Sequence, residues 1–281
     1  MKIALVQQHA SGDLDDNRRR GVAAFEAAAA QGADLIAFAE LAFLPFLPAV
    51  PSSERPGFER FAQTVPGPLT EEFSALSARR GVVTVLNLFE AAGGRTFDSS
   101  PVIDADGRLL GAARMVHIME GPGFHERGYY ASGAGQPFIF ETALGPIGVA
   151  ICYDRHFPEY MRGLALLGAR LVVVPQAGVL DEWGEGVYEG ELQIASLQNG
   201  YFAALANRVG REEGLHFSGE SYVTDPLGRV VARAPRDRDH ILVAECDLGL
   251  IERSPARRHF LGDRRPEVYA AMGLTHPPEK P

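Results

Sequence analysis

The sequence predicts an α/β protein in which mixed sheets carry helices on their outer faces. Strand-like and helix-like segments alternate along all 281 residues. Apolar runs such as LVVV and VAIC are too continuous for half-exposed strands and need cover on both faces. No linker, repeat or low-complexity stretch divides the chain, so residues up to about 250 read as one unit.

The elements follow in order. KIALVQQ (2–8) is β-rich and reads as a first strand; its apolar part is too short for a signal peptide. NRRRGVAAFEAAAAQG is a helix, with Asp15 and Asp16 at its start and Gly32 just past its end. DLIAFAE (34–40) is a short apolar strand closed by an acid. FLPFLPAVPSSERPGF is too rich in proline for helix or central strand. PLTEEFSALSARRG is a helix stopped at Gly81, and VVTVLNLFE is a strand. Residues 98–118, ending in VIDADGRLLGAARMVHI, read as a hairpin turning at Asp106-Gly107, and PFIFETALGPIGVAICYD as a second turning near Gly145-Pro146. Pro158 sits in the first turn of helix PEYMRGLALLGA, where its missing N–H costs little. RLVVVP is a buried strand and YEGELQIASLQNG a helix. YFAALANRVG, FSGESYVTDPLGRVVARAP and HILVAECDL are strands again.

Composition bounds the function. Hydrophobic residues at 46% and charged residues at 22% describe an ordinary globule. The net charge is 27 − 36 = −9 with scattered basic residues, which argues against nucleic acid or anionic membrane as partner. No apolar run approaches the ~20 residues of a bilayer span. Two cysteines give no disulfide framework and suggest a reducing cytoplasm. The eight histidines form no metal-ligand spacing, and the short Gly-x-Gly stretches complete no nucleotide fingerprint, so neither metal nor cofactor is expected.

Chemistry centres on IGVAICYDRHFPEY. Cys152 is either a small hydrophobe finishing a strand or a nucleophile at a strand-to-helix elbow, where helix amides lower a thiol pKa and Tyr153 N–H offers an oxyanion site. Asp154 and Glu159 read as first-turn charges, and His156 as a nearby base that points either toward the thiol or away from it. Glu40, at the strand end that feeds the Pro-rich loop, is either a solvated acid or a general base. Trp183 and Tyr188, before a helix, line a pocket or pack in core; Cys246 alternates with apolar neighbours and reads as inert.

MKIALVQ, GADLIAFAE, VIDADGRLLG, ARMVHI, GVAICYDRHFPEYMRGLALLGARLVVVP, ANRVG and FSGESYVTDPLG occur in an order and spacing that resembles the nitrilase superfamily of carbon–nitrogen hydrolases. DRRPEVYA near the C-terminus is similar to the tails of its carbamoyl-amide branch. The resemblance, over residues 1 to about 250, implies a four-layer α-β-β-α sandwich and a homodimer or higher homo-oligomer. Residues 1–281 read as a single domain whose charged, Pro-rich tail, 251–281, packs on the surface or on a partner subunit. The resemblance also implies a small amide or carbamoyl substrate, an N-carbamoyl amine or amino acid first. It assigns the base to Glu40, the nucleophile to Cys152 and a supporting glutamate to Glu126. The lysine of the family's triad falls at Met115, which has neither charge nor strong donor. Lys2 and Lys280, the chain's only lysines, lie at its two ends, and Arg114, His117, His125 and Arg127 do not take the lysine's place.

Overall fold

A computed structural model describes residues 1–134 and 138–274. Strand β1 (Lys2–Gln7) leads to helix α1 (Leu14–Ala30), whose Asp13 cap accepts the Asp16 N–H at 2.9 Å. Strand β2 (Leu35–Phe38) is buried throughout. The Pro-rich segment folds into three short 3₁₀ turns, at 47–49, 52–54 and 58–61, rather than staying irregular. Helix α2 (Pro68–Arg80) follows, and Gly81 ends it with φ of 67°.

VVTVLNLFE does not form one strand. It splits into β3 (Val83–Val85) and β4 (Leu88–Ala92) at Asn87. The Asn87 side chain accepts the Leu41 N–H at 2.7 Å and donates to Asp98 Oδ1 at 2.6 Å and Ser100 Oγ at 3.1 Å, tying three segments together. Strands β5 (Arg95–Ile103) and β6 (Leu109–Arg114) make the first hairpin. Strands β7 (Ile139–Thr142) and β8 (Gly145–Val149) make the second, turning at Ala143-Leu144, so Gly145 and Pro146 already belong to the ladder. Pro137, the expected start of this segment, lies outside the described residues.

Helix α3 (Pro158–Leu166), strand β9 (Leu171–Gln176), helix α4 (Val187–Asn199) and strand β10 (Phe202–Asn207) follow. Strands β11 (Val209–Glu212), β12 (Leu215–Ser218), β13 (Tyr222–Thr224), β14 (Val230–Arg233) and β15 (His240–Glu245) come next. The last described helices are α5 (Gly249–Arg253) and α6 (Pro266–Ala271). Arg257, between them, donates to the Ala169 carbonyl at 2.9 Å and fastens this part of the tail to the corner before β9. The Pro-rich end beyond residue 274 lies outside the described residues.

One sheet runs β15-β1-β2-β3-β5-β4 with β6 on β5; the other runs β14-β13-β10-β9-β8-β7. Strands β1 to β3 are parallel, as are β8 to β10. Alternation sorts their side chains. Ile3, Leu5, Ala37 and Val85 face the space shared with Val149, Val173, Ala204 and Val223 of the other sheet. Ala4, Val6, Ile36 and Phe38 pack instead against Phe25 of α1 and Phe73 of α2. On the far side, Val172, Val174 and Leu205 meet Met161 and Leu164 of α3 and Leu192 of α4. Three apolar interlayers therefore make a four-layer α-β-β-α sandwich, as expected from the resemblance.

Candidate active site

Glu40 follows β2 by two residues and Cys152 follows β8 by three, so both leave parallel strands at their C-terminal ends, where open α/β sheets gather ligands. Cys152 opens a 3₁₀ turn (152–156) with φ of 44°, and Leu41, next to Glu40, has φ of 47°. Left-handed non-glycine residues cost on the order of 1–3 kcal/mol each and concentrate at sites that need a fixed geometry. The Cys152 thiol faces the Glu40 carboxyl and lies against the Ala177 backbone amide. It opens on a cavity of about 350 Å³, whose wall includes Tyr153, Glu126, Gln176, Glu182 and Trp183. The first bond of the turn runs from Asp154 N–H to Ile151 O at 2.8 Å, so the Tyr153 amide precedes it at the turn's open end.

Glu40, Glu126 and Cys152 thus gather in one place, and a third acid joins them. Asp98 is fully buried; its Oδ2 meets no hydrogen-bond donor, nor does either carboxyl oxygen of Glu40, Oε1 of Glu126 or the hydroxyl of Tyr130. Glu126 is held by the Met119 N–H on Oε2 at 3.0 Å. Burial, then Asp98 and Glu126, push the Glu40 carboxyl well above its ordinary range. Burial does the same to Glu126. Asp98 is raised to about 7 by burial, against the pull of the Asn87 hydrogen bond and of Glu40.

Met115 is fully buried and packs in the same cluster as Cys152. Its N–H donates to the Asp98 carbonyl at 2.9 Å, one step beyond the Ser99–Arg114 pair of β5 and β6. Asp98 and Met115 therefore stand directly opposite, on one face of the sheet, where such Cβ atoms are roughly 5 Å apart. Arg114 faces the other way: it grips Glu90 with Nε at 2.7 Å and lies over Phe97. The remaining cations near this segment are engaged elsewhere. His117 bonds to Asp154 at 2.7 Å and stacks on Phe157, His125 bonds to Glu120 at 3.2 Å, and Arg127 reaches the Ile118 carbonyl at 3.4 Å. Arg208 is fully buried behind Glu40, donating to the carbonyls of Glu40 (2.8 Å), Leu41 and Leu44 and to the Glu212 carboxylate. Lys2, the only lysine among the described residues, pairs with Glu245 at the surface; Lys280 lies outside them.

Two local expectations change. The elbow does not lower the Cys152 pKa: burial, then Glu40 and Glu126, raise it well above the ordinary thiol value, and the Ala177 amide offsets this only in part. Asp154 is no helix-dipole charge but a buried clamp, accepting the N–H groups of Val116, His117 and Ile151. His156 turns to Glu191 at 2.7 Å while its ring borders the cavity. Trp183 lines the cavity; Tyr188 lies within α4 against Tyr222. Cys246 is buried and its thiol is pushed up to about 12.

Burial raises both thiols, but Cys152 lines the cavity and Cys246 does not. Iodoacetamide is expected to label Cys152, which opens on the cavity, before Cys246, slowly at pH 7 and faster as pH rises. Peptide mass spectrometry of partly labelled folded protein reads the order; earlier labelling at Cys246 would contradict this geometry.

Asp98, Asn87, Tyr130 and Arg208 escaped sequence reasoning. The one signal was a polar pair at the end of an apolar run, Asn207 closing β10 and Arg208 just after it; β5, with Arg95, Thr96, Asp98, Ser99 and Ser100, carries too many polar residues for Asp98 to stand out.

Known proteins resemble this chain over most of its length. The model of a family described as carbon–nitrogen hydrolase matches residues 2–256. A tomato (Solanum lycopersicum) protein named N-carbamoylputrescine amidase is 31% identical, over 96% of this chain and 94% of its own. A protein from Francisella tularensis subsp. tularensis named citrullinase is 29% identical over 96% of each. Among solved structures, a carbon–nitrogen hydrolase from Helicobacter pylori G27 superposes with a TM-score of 0.88 at 29% identity, covering 97% of this chain and 98% of that one. A mutant amidase from Nesterenkonia sp. AN1, showing Michael addition of acrylamide at the active site cysteine, has a TM-score of 0.81 at 25% identity, covering 97% and 99%.

Proposed function

The chain belongs to the carbon–nitrogen hydrolase family, hydrolases of C–N bonds other than peptide bonds, and we propose that it acts on a linear N-carbamoyl or amide substrate through a covalent Cys152 intermediate. The observation that carries this reading is the Cys152 thiol, set at a strained turn against the Glu40 carboxyl and open to a cavity that Glu126 also lines. Glu40 takes the thiol proton and the sulfur attacks the carbonyl carbon. The Tyr153 N–H holds the oxyanion, and Glu40 returns the proton to the departing nitrogen. Glu40 then takes a proton from water, whose oxygen attacks the thioester (a thiocarbamate for a carbamoyl substrate) and releases the thiol. Met115 slows these steps, because no fixed ammonium faces the developing charge; loss of one such donor costs ~10²–10³ in rate.

Among the described residues the cavity wall includes Glu126 and Glu182 and no lysine or arginine. It therefore suits a neutral or cationic end group, such as that of an N-carbamoyl diamine, better than a carboxylate. We place the protein in solution as a homo-oligomer of the cytoplasm. Among the described residues no helix is long and apolar enough to cross a membrane.

Ammonia release from N-carbamoyl diamines, N-carbamoyl amino acids and simple amides tests the reading. Release is expected fastest for the diamines and absent in Cys152→Ala. Ligand-induced thermal stabilisation without release from any of them would instead mark a protein that binds through the same pocket without turnover.

A further inference from the structure

The buried acids around Glu40 pose a charge problem that the lysine-free site must solve internally. The Glu40 and Asp98 carboxyls act on each other at close range, and Asn87 ties their segments together by accepting the Leu41 N–H and donating to Asp98 Oδ1. A carboxylate only accepts, so two carboxyls can share a hydrogen bond only when one of them carries a proton. Like-charged carboxyls at this range do not both ionise in a buried site. Asp98 Oδ1 is already taken by Asn87, while Oδ2 and both oxygens of Glu40 have no other donor. The groups facing the pair leave it unneutralised. Glu126 presses on Glu40 while the Cys152 thiol offsets this only in part, Asp154 adds negative charge near Asp98, and the Tyr130 hydroxyl is buried against all three acids. Arg208 is a cation that acts on Asp98, yet its donors named above go to carbonyls and to Glu212. Met115, directly across the sheet from Asp98, contributes no charge.

We propose that Asp98 is a positioning residue that holds one proton jointly with Glu40, so that the pair carries a single negative charge and serves as the proton acceptor for Cys152. The catalytic part of this statement rests on the hydrolase reading. In the resting site Glu40 carries the proton and donates it to Asp98. As the thiol S–H bond breaks, its proton goes to the oxygen of Glu40 that faces Cys152, and the proton already on Glu40 crosses to Asp98. Sulfur keeps the electron pair and attacks the carbonyl. When the nitrogen departs it takes the proton from Glu40, Asp98 returns its own, and the pair is as it began. Asp98 touches neither substrate nor sulfur; it acts through Glu40.

The shared proton has a signature independent of turnover. The folded pKa of Asp98, about 7, lies above its ordinary 3.8. Between those values the folded state keeps a proton that the unfolded chain has released, so this stabilisation is present at low pH and is lost as pH rises through about 7. Melting curves from pH 5 to pH 8 should therefore show the natural protein losing stability as pH rises. Asp98→Asn keeps the shape but removes the titrating group, and Glu40→Gln removes it from the other side. Each should flatten the decline by at least ~3 °C and melt above the natural protein at pH 8. A decline retained in either variant, with Asp98→Asn lowering Tm equally at pH 5 and pH 8, would make Asp98 an ionised structural anchor and overturn the proposal. Ammonia release measured beside the melts separates the two readings. Turnover with an unaltered decline removes the shared proton and leaves the hydrolase, whereas a flattened decline without turnover does the reverse.

Discussion

Met115→Lys is expected to raise hydrolysis of the preferred carbamoyl or amide substrate by at least ~10², mainly in kcat. The side chain at 115 is unbranched, fully buried and packed with Cys152, and lysine is longer by little. The backbone is pinned on both sides, by Met115 N–H to the Asp98 carbonyl and by Gly133 N–H to the Met115 carbonyl, so it need not move. An ammonium reaching from this position meets Asp98 across the sheet and the donor-starved oxygens of Glu40 and Glu126. Buried ion pairs form well when every donor finds an oxygen, which this cluster supplies. The same charge lowers the carboxyl pKa values and leaves Glu40 ionised at neutral pH, ready to take the thiol proton. Steady-state kinetics read the gain, which should vanish when Glu40→Gln or Cys152→Ala is added. A well-folded Met115→Lys protein with no gain on any substrate would show that the pocket differs from a working hydrolase by more than this residue.

Arg208→Met is expected to cost about 3–5 kcal/mol, the usual consequence of removing one partner from a buried charged network. The guanidinium is fully enclosed and lies 5.1 Å over the Phe217 ring. Without it the carbonyls of Glu40, Leu41 and Leu44 lose this donor, and the largely enclosed Glu212 carboxylate loses its cation and keeps only the Phe46 N–H. For a chain of this size the midpoint should fall by roughly 10 °C. Arg208→Lys, which keeps the charge but cannot fork to several oxygens, should fall in between. A thermal melt checks both. A loss under ~1 kcal/mol for the methionine variant would mean that the loop after β2 is held in place without this side chain.

Mixed sheets covered by outer helices were legible because each strand's apolar pattern announces how many faces it buries; the stacking into four layers came only from the family resemblance. Glu40 and Cys152 stood out because each interrupts an apolar run where a strand ends. Asp98 was hidden for the opposite reason. Residues 98–118 read as a hairpin with no sign of which polar residues it buries, and Asp98, Ser99 and Ser100 are all fully buried, with Glu90, Asn87 and the acid cluster as their surroundings. Only the packing of β4 and β6 on either side of β5 reveals that. The break at Asn87 was invisible for a related reason: a single side chain with three distant partners ends the ladder, and partners distant in sequence leave no periodicity. The elbow misled on acidity because the local amides were counted and the carboxyls brought in from β2 and from residue 126 were not.

The register that sets residue 98 opposite residue 115 makes the interior a buffer. On the shared-proton proposal, a charge gained or lost at 115 is met by a proton leaving or entering Asp98 and Glu40, so the total charge of the enclosed cluster hardly changes. A lysine codon and a methionine codon differ by one base. On the same proposal a single mutational step, in either direction, separates a catalytically strong form from a weak one, and both are expected to fold. The pH at which the protein melts would record which form it carries.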